Sequence, residues 1–134
     1  MYTVTSCHTN KTCQEYVLEV QDKYYELIRT GRKSLEVRKN KPDSWGRVQK
    51  GDMLIVKKQG SPDFYKRKVV EVRTYSFLKE ALEQEGIRNV LPGVESMREA
   101  IEIYMGFDGD DPEVIDRRNT EFYVYGCIVM ELSE

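Results

Sequence analysis

This sequence is poor in the residues that most catalytic and metal sites are built from. It has one histidine, His8, and three cysteines, Cys7, Cys13 and Cys127. A structural zinc site needs four ligands at metal spacing. Cys7, His8 and Cys13 lie close together in sequence, but Cys127 is far off on an expected strand, so no metal is expected. An odd cysteine count without framework spacing points to a reduced, cytoplasmic chain. G-x-G-x-x-G, G-x-x-x-x-G-K-[ST], H-E-x-x-H and G-x-S-x-G are all missing. No dinucleotide loop, phosphate loop, zinc-protease helix or nucleophile elbow is therefore expected, and nothing calls for a cofactor. No apolar run approaches the roughly 20 residues that cross a bilayer. Met1-Tyr2-Thr3-Val4 lacks the basic start and apolar stretch of a secretion signal, so no membrane partner is expected. Asp108-Gly109-Asp110-Asp111-Pro112 is an acidic turn without the glycine and bidentate glutamate positions of a calcium loop.

What the chain does have is charge, unevenly placed. Charged residues make up 33% and hydrophobic residues 40% of its 134 residues, which fits one folded domain with one core. The net charge of −2 hides a split. Residues 1–75 carry 16 Lys/Arg against 9 Asp/Glu, and residues 76–134 carry 5 against 14. The basic half suits a polyanionic partner and the acidic half a basic protein, although the halves can also neutralise one another.

Residues 1–14, polar and rich in threonine, read as an N-terminal arm, and 15–134 as the domain. Tyr16–Val20 is β-prone. Asp22 can cap a helix with Tyr24, Leu27 and Ile28 at helical spacing, ended by Gly31. Residues 40–50 form a loop carrying Trp45 and Arg47. Gly51-Asp52 is a turn before the strand Met53–Val56. Gly60–Asp63 turns the chain into a long strand from Phe64 to Tyr75, with Val70 and Val72 on one face. Phe77, Leu78, Ala81 and Leu82 form the stripe of a helix closed by Gly86, followed by a linker from Ile87 to Gly93. Ser96–Glu99 has the form of a capping box, opening a helix with Met97, Ala100, Ile101 and Tyr104 on its inner face. Asp111-Pro112 starts a short helix over Glu113–Arg117. Glu121–Leu132 reads as the last strand, with Gly126 marking a bulge or a close approach. Short strand connections and grouped helices give an α+β class: a small, mostly antiparallel barrel with flanking helices.

One stretch is not explained by core and turns. After the Gly31 corner, Leu35 and Val37 alternate toward a core, which puts Ser34, Glu36 and Arg38 together on the other face. Lys33 stands at the strand's root. A carboxylate, a guanidinium and an ammonium at one corner are more than burial requires, although exposed ion-pair rows are also common.

Gly31-x-Lys33-x-x-Glu36-x-Arg38 resembles the G-x-K-x-x-E-x-R signature of the ASCH domain, a branch of the PUA-like superfamily. Gly51-Asp52, Phe77–Leu82 and Tyr125-Gly126 resemble later features of that family, in order, so the likeness spans roughly residues 15–133. The resemblance implies a PUA-like barrel with a cleft lined by the motif, and an RNA or nucleotide-related ligand. Some small bacterial members are amidohydrolases acting on N4-acetylcytidine, and others are reported as nucleases. In the amidohydrolases the catalytic set is Lys, Thr and Glu. The Lys corresponds to Lys33, the Thr falls at Glu36 here, and the Glu lies nearest to Glu85.

Two functional readings follow. In the first, a binding module, Lys33 and Arg38 hold phosphate oxygens and Glu36 accepts from a base or ribose. Trp45, beside Arg47, or Tyr125 stacks a base, and Lys57, Lys66, Arg67 and Lys68 extend the track. In the second, a hydrolase, Glu36 or Glu85 is the general base and Lys33 stabilises the oxyanion.

Overall fold

The computed structural model describes the backbone of residues 2–6, 12–106 and 111–133, and the side chains of 13–106 and 111–133. The elements run β1 (Tyr2–Ser6), β2 (Thr12–Val20), α1 (Asp22–Arg29), β3 (Leu35–Lys39), a single 3₁₀ turn at Trp45–Arg47, β4 (Met53–Lys58) and β5 (Phe64–Tyr75). They continue with α2 (Leu78–Glu85), α3 (Ile87–Val90), α4 (Met97–Met105), α5 (Pro112–Tyr125) and β6 (Cys127–Leu132). The class is α+β, as expected. Hydrogen-bonded strand order is β1-β2-β4-β5-β6-β3. β1 pairs with β2 and β4 with β5 in antiparallel fashion, whereas β2 and β4 run parallel. A parallel pair needs a long crossover, which α1, β3 and the loop after it supply. Two compact units divide the chain: Met1–Ser34, Val48–Val72 and Met130–Glu134 in the first, Leu35–Arg47 and Arg73–Val129 in the second.

In the first unit, β2 alternates cleanly. Tyr16, Leu18 and Val20 are buried while Val17 and Glu19 are not. They pack with Tyr25 and Ile28 of α1, Leu54 and Val56 of β4, and Val69 of β5. The inner face of α1 is set by Tyr25 rather than Tyr24. The Tyr65 hydroxyl donates to the Tyr25 carbonyl at 2.6 Å, and their rings lie 4.8 Å apart. On β5 it is Val69 that is fully buried, with Val70 and Val72 only partly covered. Gln21, not Asp22, occupies the N-cap of α1, and Asp22 sits in the first turn, where its charge faces the helix dipole favourably. The Gly51-Asp52 turn is held by Asp52, whose carboxylate accepts from the amides of Gln14 and Gln49 at 3.2 and 2.8 Å. Residues 2–6, expected within an arm, form β1. Cys13 is disulfide-bonded, unlike the reduced state expected from the odd count. Cys7 and His8, considered as zinc ligands, lie outside the described residues, as do Asp108–Asp110 of the acidic turn.

In the second unit, Leu78, Ala81 and Leu82 bury the inner face of α2. Phe77, expected to join them, is its N-cap and 54% exposed. The expected linker contains the short helix α3. Ser96 caps α4 by accepting from the Glu99 amide at 3.1 Å, and Gly106 ends it with a left-handed φ of 69°. The largest departure is α5. Asp111 caps it with Pro112 in the first turn, as expected, but the helix runs on to Tyr125 instead of stopping near Arg117. The aromatic and β-branched run Phe122–Tyr125 has strand propensity, yet only Phe122 is buried. Tyr123 and Val124 stay exposed at 76% and 63%. Once capped, the helix adds one hydrogen bond per residue, and Phe122 reaches Tyr104 edge-on at 6.5 Å. Gly126 stops it with φ 70° and ψ −158°. A Cβ there would collide with the Tyr75 carbonyl, so the expected close approach is real, but at a helix–strand junction.

Candidate functional site around the exit of strand β3

β3 is covered on both faces at its start. Leu35, Glu36 and Val37 are all buried, at 6%, 5% and 1% exposure. Glu36 is thus a buried carboxylate, and burial demands compensation. Arg38 supplies part of it, with Nη2 3.7 Å from Glu36 Oε2, an ion pair longer than a hydrogen bond. The Arg38 side chain is 36% exposed, and its guanidinium lies 5.5 Å from the centre of the Trp45 ring. The unit therefore lines up a buried carboxylate, a partly exposed guanidinium and an indole.

The loop that carries Trp45 is fixed by its backbone. The amides of Ser44 and Gly46 both donate to the Lys41 carbonyl, at 3.0 and 2.9 Å, and Arg47 N donates to Ser44 O at 3.1 Å. Position 46 must be glycine for steric reasons, because a Cβ would stand 2.7 Å from Lys41 O. The Arg47 guanidinium reaches back to Asp43 O at 2.6 Å, so this residue braces the loop. At the start of the loop, Asn40 N donates to Gly126 O at 3.0 Å, which ties the exit of β3 to the end of α5.

That tie brings in residues the sequence did not reveal. Glu121 of α5 accepts from Lys39 at 2.6 Å and lies 3.0 Å from Lys41. The hydrogen bonds from Lys39 and then Lys41 hold the Glu121 carboxyl down at about 2. The Lys41 ammonium is raised in turn, mainly by Glu121, with a weaker electrostatic contribution from the Tyr125 phenol. Tyr125 is the last residue of α5, 37% exposed, and not a strand residue as expected. Lys39 and Glu121 are 82 positions apart, so no local pattern could have paired them.

Glu85, also in the second unit, is committed elsewhere. Its carboxylate takes two bonds from Arg73, 2.6 Å from Nε and 2.8 Å from Nη2, and a third from the Tyr75 hydroxyl at 2.6 Å. The Arg73 bonds, offset by burial and reinforced by Tyr75, hold its carboxyl below the usual range. A carboxylate so stabilised as the anion is a weak proton acceptor.

Lys33 belongs to the first unit and is 2% exposed rather than free to swing. Gly31, at φ 77°, turns the chain so that Lys33 N donates to Leu27 O at 2.9 Å, at the C-terminal end of α1. Lys33 Nζ lies 6.0 Å from the Tyr24 ring centre. Of the lysines around the β4–β5 hairpin, Lys57, Lys58 and Lys66 lie 3.9, 2.9 and 2.8 Å from Glu19, Asp22 and Glu15. Lys57 and Lys66 of that expected basic track thus each stand beside a carboxylate. Among the described residues, no group of three or more His, Cys, Asp or Glu could hold a metal ion. No helix among them is long and apolar enough to cross a membrane.

A family model for the ASCH domain matches residues 18–129. The chain belongs to the ASCH domain family. The match includes Gly31, Lys33, Glu36 and Arg38 and ends at Val129 in β6. The hypothetical protein PH0355, a crystal structure, is 34% identical with a TM-score of 0.70, over 89% of this chain and 97% of that one. Protein PF0455 from Pyrococcus furiosus, solved by NMR, is 28% identical with a TM-score of 0.64, over 89% and 96%. The ASCH protein from Zymomonas mobilis shares the fold at 11% identity and a TM-score of 0.57, over 90% of this chain and 67% of that one. None of the curated proteins compared with this ASCH chain matches it.

Proposed function

We propose that this ASCH domain binds RNA or a nucleotide-like ligand at the exit of β3. The observation that carries the reading is the Arg38 guanidinium held over the Trp45 ring with the buried Glu36 carboxylate beside it. Arg38 would grip a phosphate in its forked geometry, oriented by Glu36. Trp45 takes the guanidinium on one face and would stack a base on the other, with Tyr125 as a second aromatic surface. Lys39 and Lys41, fixed by Glu121, would add positive potential along the backbone path.

Trp45 is the only tryptophan, so its fluorescence reports on this site directly. Titration with short single-stranded and structured RNAs should quench it saturably, with an affinity that falls as salt rises. Trp45→Ala and Arg38→Ala, with binding followed by gel shift, should each weaken it about tenfold or more. No binding at low salt would defeat the proposal.

The alternative is a small amidohydrolase acting on acylated nucleosides, or a nuclease. One observation favours it: the Glu36 carboxylate is buried, as a general base shielded from bulk water would be. Glu85, spent on Arg73 and Tyr75, is the weaker candidate base. Following the absorbance of N4-acetylcytidine tests the amidohydrolase. Turnover abolished by Glu36→Gln and Lys33→Ala would replace the module reading with this one.

A further inference from the structure

One cation of the first unit is held differently from its neighbours. Arg67 lies on β5 between Lys66, which is bridged to Glu15, and the exposed Lys68. The Arg67 guanidinium stacks over the Tyr65 ring at 4.4 Å from its centre. Its Nη1 donates to the Lys66 carbonyl at 2.9 Å and its Nη2 to the Arg29 carbonyl at 3.3 Å. Its Nε is buried without a hydrogen-bond partner among the described residues. The nearby Arg29 side chain is bound to Glu26 at 2.7 Å and offers Arg67 only its carbonyl.

Neutral carbonyls and an aromatic face fix a guanidinium without cancelling its charge, whereas a carboxylate would do both. Two of the five N–H donors are used by the protein, and a planar, immobilised fork has little rotamer entropy left to lose on binding. Its lysine neighbours Lys57, Lys58 and Lys66 each face a carboxylate and lack this property.

We infer that Arg67 is an oxyanion-binding residue, built to take one phosphate group of a phosphodiester or nucleotide through its outward Nη hydrogens. Tyr65 acts as the platform, and the Lys66 and Arg29 carbonyls set the orientation. The site lies wholly in the first unit and stands whether or not the Arg38–Trp45 pair binds a base.

The test uses the full chain, inorganic phosphate and NMR detection of the backbone amide resonances of β5. In the wild type, the amide signals around Arg67 should shift saturably with phosphate, and the midpoint gives the affinity compared between variants. Arg67→Met should weaken the interaction about tenfold or more. Arg67→Lys, which keeps the charge and loses the fork, should recover only a small part of it. Lys68→Met should stay within about twofold, because exposed point charges contribute little. Equal weakening in Arg67→Met and Lys68→Met, full recovery in Arg67→Lys, or a shift that never saturates would each overturn the assignment. These readouts are independent of Trp45 fluorescence, so the two proposals can fail separately.

Discussion

Glu85, a candidate base in the sequence, is held in the structure by its neighbours. With 8% side-chain exposure and three hydrogen bonds, it anchors Arg73 and Tyr75. Glu85→Gln should cost about 2 kcal/mol, the scale of a hydrogen bond to a charged group, measured by urea unfolding at pH 7. Its folded pKa lies below its ordinary value of 4.5. The stabilisation is therefore fully present above about pH 4.5 and is lost as the pH falls through the folded value. The difference between wild type and Glu85→Gln should narrow below pH 4.5 and stay constant between pH 6 and 8. Gly126 is a second residue whose role is geometric. Gly126→Ala places a Cβ against the Tyr75 carbonyl at a φ of 70° and should cost more than about 2 kcal/mol by thermal denaturation.

Among the elements, α5 carries the clearest lesson. Its start was legible, because Asp111-Pro112 is a cap followed by a residue that suits the first turn. Its end was not, because Phe122–Tyr125 has the composition of a strand. Asp111 accepts from the Glu113 amide at 2.8 Å, so Asp111→Ala should cost about 1 kcal/mol in stability. Backbone chemical shifts should report helix through Tyr125; extended shifts from Glu121 onward would contradict the helix. β3 gives the complementary case. Its alternation was readable from Leu35 and Val37, but alternation predicts an open face for Glu36, and that residue is buried as well.

For the molecule as a whole, Cys127 offers a probe of opening. It is fully buried at the start of β6, and burial, with a smaller contribution from Glu80, pushes its thiol up to about 12. Only the thiolate reacts, so iodoacetamide at pH 8 should modify Cys127 at the rate of unfolding rather than that of a free thiol. Peptide mass spectrometry across a urea series would check this; rapid labelling in buffer alone would contradict the burial. The charge split also takes physical form at this scale. Lys57, Lys58 and Lys66 answer to acids in the same basic half, and Lys39 and Lys41 answer to Glu121 in the acidic half. Several of the cations in residues 1–75 thus stand beside carboxylates.

The sequence by itself determined the α+β class, the order of most elements, the Gly31 corner and the motif that places the chain in the ASCH family. Those features are written in local spacing, where turn residues, caps and period-2 burial act over a few positions. Only the tertiary structure decided which charges are spent and which are presented. It buried Lys33 at the end of α1, committed Glu85 to Arg73 and Tyr75, set Arg38 over Trp45, and joined Lys39 and Lys41 to Glu121. Such pairings depend on distances between residues far apart in the chain, and the electrostatic gain falls with separation and solvent exposure in a way no local pattern records.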